Sequence, residues 1–263
     1  MDNPGDEKGG QKIRGHLQTF DPVELIMAQN IWTICKKEFK SYFNSPAAYI
    51  ILTLFLLLCG WFFFSDFFIV NQANLRGLFG IAPFIFMFFA PAITMRLIAE
   101  EKRAGTIEVL VTLPIKDSEI ILGKFLAAFF LLSIAVLLTV FYPLTLSGSG
   151  NFDFGSIFGG YLGLILTGCC FLSVGLFSSS LTQNQIVAFI LGFVIIFTLM
   201  LLDKVLFFFP GILGSVFQYL SVSYHSSNLA RGVIDSRDLI YYFSIVFFFL
   251  LLAVKAMESR RWR

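Results

Sequence analysis

Charge is scarce in this sequence. Only 14% of its 263 residues are Asp, Glu, Lys or Arg, where about a quarter is usual for a soluble domain. With 57% hydrophobic residues and 34 Phe, water is not its main solvent. Histidine is down to two residues, and the four cysteines, Cys35, Cys59, Cys169 and Cys170, form no CxxC and no Cys/His group. That spacing argues against a metal centre or a disulfide framework and makes the thiols apolar fillers. A net charge of +2 gives no electrostatic footprint for nucleic acid. No G-x-x-x-x-G-K-[ST] occurs: Gly123-Lys124 is followed by Phe125 and lacks the upstream glycine. The chain is therefore not expected to bind or hydrolyse a nucleotide. Residues 1–20 contain no apolar h-region and are rich in Gly and charge, which predicts a mobile tail and no cleaved signal.

What the sequence has in abundance is long apolar runs. A helix needs about 20 apolar residues to cross about 30 Å of hydrocarbon, because each backbone amide must find its partner inside the segment. Six stretches approach that length: 47–65, 78–95, 125–146, 157–177, 186–202 and 239–254, none with an acidic or basic residue. The fifth and sixth are short; Lys255 could snorkel at one end of the sixth, and 206–210 could extend the fifth beyond Asp203 and Lys204. The fold class is an all-α integral membrane protein with six transmembrane helices. Without an ionisable group in any span there is no buried acid for proton or ion coupling, which argues against a cation-driven secondary transporter.

Basic residues favour cytoplasmic segments. With the N-terminus inside, that side receives Lys8, Lys12, Arg14, Lys36, Lys37, Lys40, Arg96, Lys102, Arg103, Lys116, Lys124, Lys255, Arg260, Arg261 and Arg263, leaving only Arg76, Lys204, Arg231 and Arg237 outside. An odd number of crossings would spoil this asymmetry. The expected product is a multi-pass protein of the cytoplasmic (inner) membrane, with both termini in the cytoplasm.

Residues 21–45 precede the membrane domain, 46–263. Asp21-Pro22-Val23-Glu24 supplies a cap acid, proline at the first helical position and a Glu that can complete a capping box. On a helical wheel Met27, Ile31, Ile34, Cys35, Phe39 and Tyr42 share one face and Lys36, Lys37 and Lys40 the opposite one, as in an interfacial amphipathic helix on a lipid bilayer. Glu38 interrupts the apolar face, and a helix packed on protein is the alternative. Asn44-Ser45-Pro46 then turns the chain into the membrane.

The longest cytoplasmic connection, RLIAEEKRAGTIEVLVTLPIKDSEIILGK (96–124), alternates acids with apolar residues. Residues 100–113 have helical composition apart from Gly105, Pro114 should end that helix, and Asp117 and Ser118 offer a cap for the third span. Glu101, Gly105-Thr106, Glu108, Leu110, Thr112, Pro114 and Gly123-Lys124 resemble the E-x3-GT-x-E-x-L-x-x-x-P-x8-GK signature of ABC-2 type transporter permeases. KKEFKSYFNSP (36–46), APAITMRLIAEEKRAGTIEVLVTLPI and HSSNLARGVIDSRDLIYY look like the gliding-motility-associated branch of that family.

The resemblance implies the permease subunit of an ATP-driven exporter. Its partners would be two ATP-binding cassette subunits, which carry the ATP and Mg2+, and a second permease chain, identical or different. An auxiliary membrane subunit would be a further partner. The 96–124 loop would hold a coupling helix docking on the ATPase, through Glu100, Glu101, Lys102, Arg103 and Glu108. Thr106 belongs to the same set, Gly105 would allow close backbone approach and Pro114 would set the turn. A membrane scaffold or force-transmitting component that uses the ATPase without moving a solute is the alternative.

In the resembling family the segment 203–238 forms short helices dipping back from the outer surface; an ordinary surface loop is the plainer expectation. His225 there reads as a hydrogen-bonded structural residue. Gly159-x-x-x-Gly163, Gly168 and Gly175 in the fourth span, with Gly60, Ser133 and Gly192, read as packing positions. Glu100-Glu101 with Arg103 superficially suggests an intramembrane glutamate protease, but the spacing is not EExxxR, and His225 falls on the other side of the bilayer, about 30 Å away.

Overall fold

The structure, a computed structural model, describes residues 22–70, 75–106, 115–145, 154–207 and 211–259. The tail 1–20, Asp21, Glu108, Thr112 and Pro114 lie outside the described residues. Those described are helical almost throughout. Helix α1 (Pro22–Asn44) leads through Ser45 into α2 (Pro46–Val70), followed by α3 (Arg76–Ala104), α4 (Asp117–Leu138) and a one-turn continuation, α5 (Phe141–Thr145). Then come α6 (Phe154–Leu181), α7 (Gln185–Leu201) ending in a 3-10 turn at Leu202–Phe207, the short α8 (Ile212–Leu220) and α9 (Val222–Ala230), and α10 (Ser236–Glu258).

Six of these helices are long and apolar enough to cross a bilayer, as the hydropathy runs require. Most run past the apolar stretch that announces them. The second span, legible over 78–95, continues as one helix to Ala104; its 29 residues span about 43 Å, well beyond the hydrocarbon. Residues 100–104, the start of the stretch with helical composition, are the last turn of α3. The left-handed Gly105 (φ 71°) closes it, its amide donating to Lys102 O, a conformation that costs glycine little and other residues more. At α4 the expected caps Asp117 and Ser118 lie inside the first turn, and Lys116 is the capping position. Asp117 and Glu119 there face the positive end of the helix dipole.

Helices α3 and α6 form the centre, with two thirds of their apolar windows buried, against about a fifth for α2, α7 and α10. Close approach explains the centre: a Cβ on Gly175 of α6 would lie 2.1 Å from Thr94 Oγ1 of α3. Several hydroxyls within the bundle satisfy themselves on their own helices, Thr94 on Ala90 O (2.8 Å), Ser178 on Val174 O (3.0 Å) and Thr198 on Val194 O (2.8 Å), as a medium without water favours. Between spans, Thr167 and Tyr242 share a hydrogen bond (2.9 Å), Tyr142 donates to Leu56 O (2.7 Å), and Phe55 stacks on Phe86.

The glycine pair in the fourth span does not receive another span. It receives α9: a Cβ on Gly159 would meet Leu229 O and Gly232 Cα at 2.9 Å, and one on Gly163 would meet Leu229 Cβ at 2.9 Å. The segment between spans five and six thus forms two short helices, the second seated along the first turns of α6. Helices alternate in direction, so α1, the α3 tip, the α4 start, the end of α6 and the end of α10 share one end of the bundle. That basic end contains Lys36, Lys37, Lys40, Arg96, Lys102, Arg103, Lys116, Lys124 and Lys255; Lys204, Arg231 and Arg237 lie at the other.

Candidate functional site

At the basic end three helices converge on one cation. Lys124, in the second turn of α4, is 1% exposed, and its Nζ lies 2.8 Å from Glu101 Oε1 of α3 and 3.0 Å from Glu38 Oε1 of α1. An ammonium so deeply buried is tolerated only when paired. Glu38, out of place in a lipid-facing stripe, is thereby explained: that stripe packs largely on protein. Ile34 lies where a Cβ on Gly123 would be, at 2.8 Å. Tyr42 donates to Ile93 O (2.8 Å), and burial pushes its phenol well above the ordinary range, holding it as a neutral donor. Asn30 donates to the buried Glu119 (2.9 Å). Trp32, Lys36, Lys37 and Lys40 remain exposed.

The α3 tip is fastened on its other side to the end of α6. Lys102, 6% exposed, donates to Ser180 O, setting a cation against the negative end of the α6 dipole. Ser179 Oγ donates to Met95 O (3.0 Å) and accepts from Ala99 N (3.0 Å) and Ile98 N (3.2 Å). A side chain of α6 thus joins two groups that a plain α-helix would pair directly, a known way to bend a helix. Arg96 and Glu100 form an exposed i,i+4 pair at 3.0 Å, of small energetic weight.

Of the residues singled out in the 96–124 connection, the structure turns Glu101 and Lys102 inward and leaves Arg103, Gly105 and Thr106 exposed, with Glu100 half-exposed. Sequence reasoning missed the triad itself. Its signals were Glu38 interrupting an apolar face, the Gly123-Lys124 dipeptide just before a span, and the Ser178-Ser179-Ser180 run ending another.

One comparison with known proteins matches this architecture. Residues 32–225, well over half of the chain, match the family model described as ABC-2 family transporter protein. The chain belongs to the ABC-2 transporter family. No curated protein sequence matches it. The matched stretch begins inside α1 and ends at His225 in α9, so the triad and the α3 tip fall within it. Members of the ABC-2 family are the multi-pass membrane component of the transporter, not its nucleotide-binding subunit, and the family implies an ATP-binding partner. Within an ABC-2 permease the triad gives Gly123-Lys124 a physical meaning: the glycine admits α1, and the lysine bridges two acids from different helices. Gly123→Val should push Ile34 and α1 off α4; overpacking of this kind costs about 1–3 kcal/mol. Thermal unfolding of the purified chain in detergent measures it, and an unchanged midpoint would dismiss the contact.

At the opposite end His225 is fully buried. Its Nδ1 lies 2.5 Å from Asp238 Oδ1 and its Nε2 2.8 Å from Tyr219 O, and its ring stacks on Tyr241 at 3.9 Å. This hydrogen-bonded pair ties α9 to α10. Glu100 and Glu101 sit at the far end of α3, beyond the reach that shared catalysis needs.

Proposed function

We propose that the chain is the permease subunit of an ATP-driven exporter, and that the α3 tip and the segment beyond it receive the movement of a separate ATP-binding cassette subunit. The observation that carries this reading is the Glu38–Lys124–Glu101 triad together with the Lys102–Ser180 and Ser179 contacts. An element pushed from outside the membrane transmits force only if it is rigidly continuous with a span and fastened to its neighbours. Helix α3 supplies the first condition and these contacts the second. Arg103, Gly105 and Thr106 are the docking surface, with Glu100 at its edge; Glu108 and Pro114, the other residues expected to take part, lie outside the described residues; ATP and Mg2+ belong to the partner.

The basic end faces the cytoplasm, which puts both termini there in a cytoplasmic membrane. The sparsely buried α2, α7 and α10 support a second permease chain beside this one, so that two permease chains work with two ATPase subunits and an auxiliary membrane subunit can join them. The quoted likeness of residues 36–46 and of the segment before α10 supports the gliding-motility branch.

A single cysteine tests docking and orientation together. In Arg103→Cys, a membrane-impermeant thiol reagent should react only from the cytoplasmic side, and the ATP-binding subunit should protect the position. The native thiols interfere little, since Cys35, Cys59 and Cys170 are buried, the partly buried Cys169 lies midway along the fourth span, and burial raises the Cys35 thiol. Labelling from outside would overturn the orientation; inside labelling without protection would overturn the docking surface.

A further inference from the structure

The structure holds a second polar place that coupling does not use, at the end opposite the triad. Between α3, α7 and α9 lies a cavity of about 420 Å³, within the ~300–1,000 Å³ typical of small-molecule sites. One wall is the face of α9 bearing Ser223, Ser226 and Ser227 with Arg231 just past its end, and the other is apolar, with Phe79, Phe84 and Met200. No acid lines it, and the exposed guanidinium of Arg231 has no carboxylate partner among the described residues. Ser226 and Ser227 give their protons to Ser223 O (3.0 Å) and Tyr224 O (2.8 Å) of their own helix, so their lone pairs face any occupant as acceptors. Pro83 in the wall leaves the carbonyl of Phe79 without its i+4 donor. The cavity therefore offers one cation and several acceptors.

Below it runs an aromatic track. Phe84 and Phe88, one turn apart on α3, are about half exposed. Phe88 lies 4.9 Å from Phe193 of α7, which stacks on Phe197 and Phe189. Phe84 belongs to both features, so the polar cavity opens directly onto an apolar seam that descends towards the middle of the bundle.

We propose that this seam holds an anionic phospholipid from the leaflet at that end. Arg231 pairs with its phosphate, the serine oxygens and the Phe79 carbonyl accept from headgroup hydroxyls, and an acyl chain lies along Phe84, Phe88 and Phe193. The inference rests on the six membrane-crossing helices and not on the coupling reading, so either stands if the other fails. A charged head on an apolar chain fits because the cavity is charged at its rim and the seam below is lined by the rings of Phe84, Phe88 and Phe193, which give a wholly hydrophilic ligand no partner.

The test uses the full chain in mixed vesicles of phosphatidylglycerol and phosphatidylcholine, extracted gently and analysed by native mass spectrometry for retained lipid. Wild type should retain phosphatidylglycerol in excess of its share of the vesicle. Arg231→Gln should lower that enrichment roughly five-fold, the value of one cation near a membrane surface, while Arg231→Lys keeps most of it. Gly80→Phe should abolish retention by filling the cavity; a Cβ there meets nothing within 4 Å, and a thermal-unfolding midpoint close to wild type checks that the variant is folded. Equal enrichment in wild type and Arg231→Gln, or full retention in Gly80→Phe, would overturn the proposal.

Discussion

Replacing Lys124 by Met should lower the stability of the purified chain by about 3–5 kcal/mol, the usual cost of removing one partner from a buried ion cluster. The loss comes less from missing attraction than from Glu38 and Glu101, left facing each other with side chains only 15% and 18% exposed. Glu101 Oε2 is already buried without a hydrogen-bond partner, so this acid has no reserve. Adding Glu38→Gln and Glu101→Gln to the Met variant should therefore recover most of the midpoint in thermal unfolding, because amides need no counter-charge. If the triad also transmits force, the rescued triple variant should still show weakened coupling in the complete complex, read as ATPase activity that no longer responds to the permease. A Met variant as stable as wild type would remove the triad from the account.

At the other end, His225→Phe and Asp238→Asn should differ sharply although they break the same contact. Tyr219 O can only accept, so His225 Nε2 carries a proton, and a second proton lies between Nδ1 and Asp238 Oδ1. The pair is neutral as a unit. In His225→Phe the carboxyl of Asp238, 3% exposed with Oδ2 already unpartnered, loses the one side-chain hydrogen-bond partner it has among the described residues; a cost of about 3–5 kcal/mol is expected. In Asp238→Asn the amide donates to a neutral Nδ1 while Nε2 still serves Tyr219, so about 1 kcal/mol or less is expected. Thermal unfolding of the two variants side by side decides it, and equal losses would mean that ring packing on Tyr241, not the shared proton, holds α9 to α10.

How much was legible depends on the range of the interaction. Six spans and their alternation followed from runs of apolar residues, since each helix satisfies its backbone within itself. The overrun of α3 to Ala104 was not legible, because Arg96, Glu100 and Lys102 look like loop to a hydropathy reading. They are helical because Ser179, Ser180 and Lys124, far away in the chain, hold that last stretch in place. For the same reason the docking set changed character: Glu101 and Lys102 carry the same charges as Glu100 and Arg103, yet neighbours from α1, α4 and α6 turn the first two inward. Gly159 and Gly163 announced a close contact but not its occupant, which proved to be α9.

Composition and periodicity, acting over a few turns, determined by themselves that this is a six-helix membrane protein with its positive charge at one end and no Walker A nucleotide-binding motif. Which charges pair, which face outward, and where a cavity opens beside Arg231 were decided only by the tertiary structure. A helix sets the direction of a side chain from its own residues, but what that side chain meets is set by helices the local sequence does not contain.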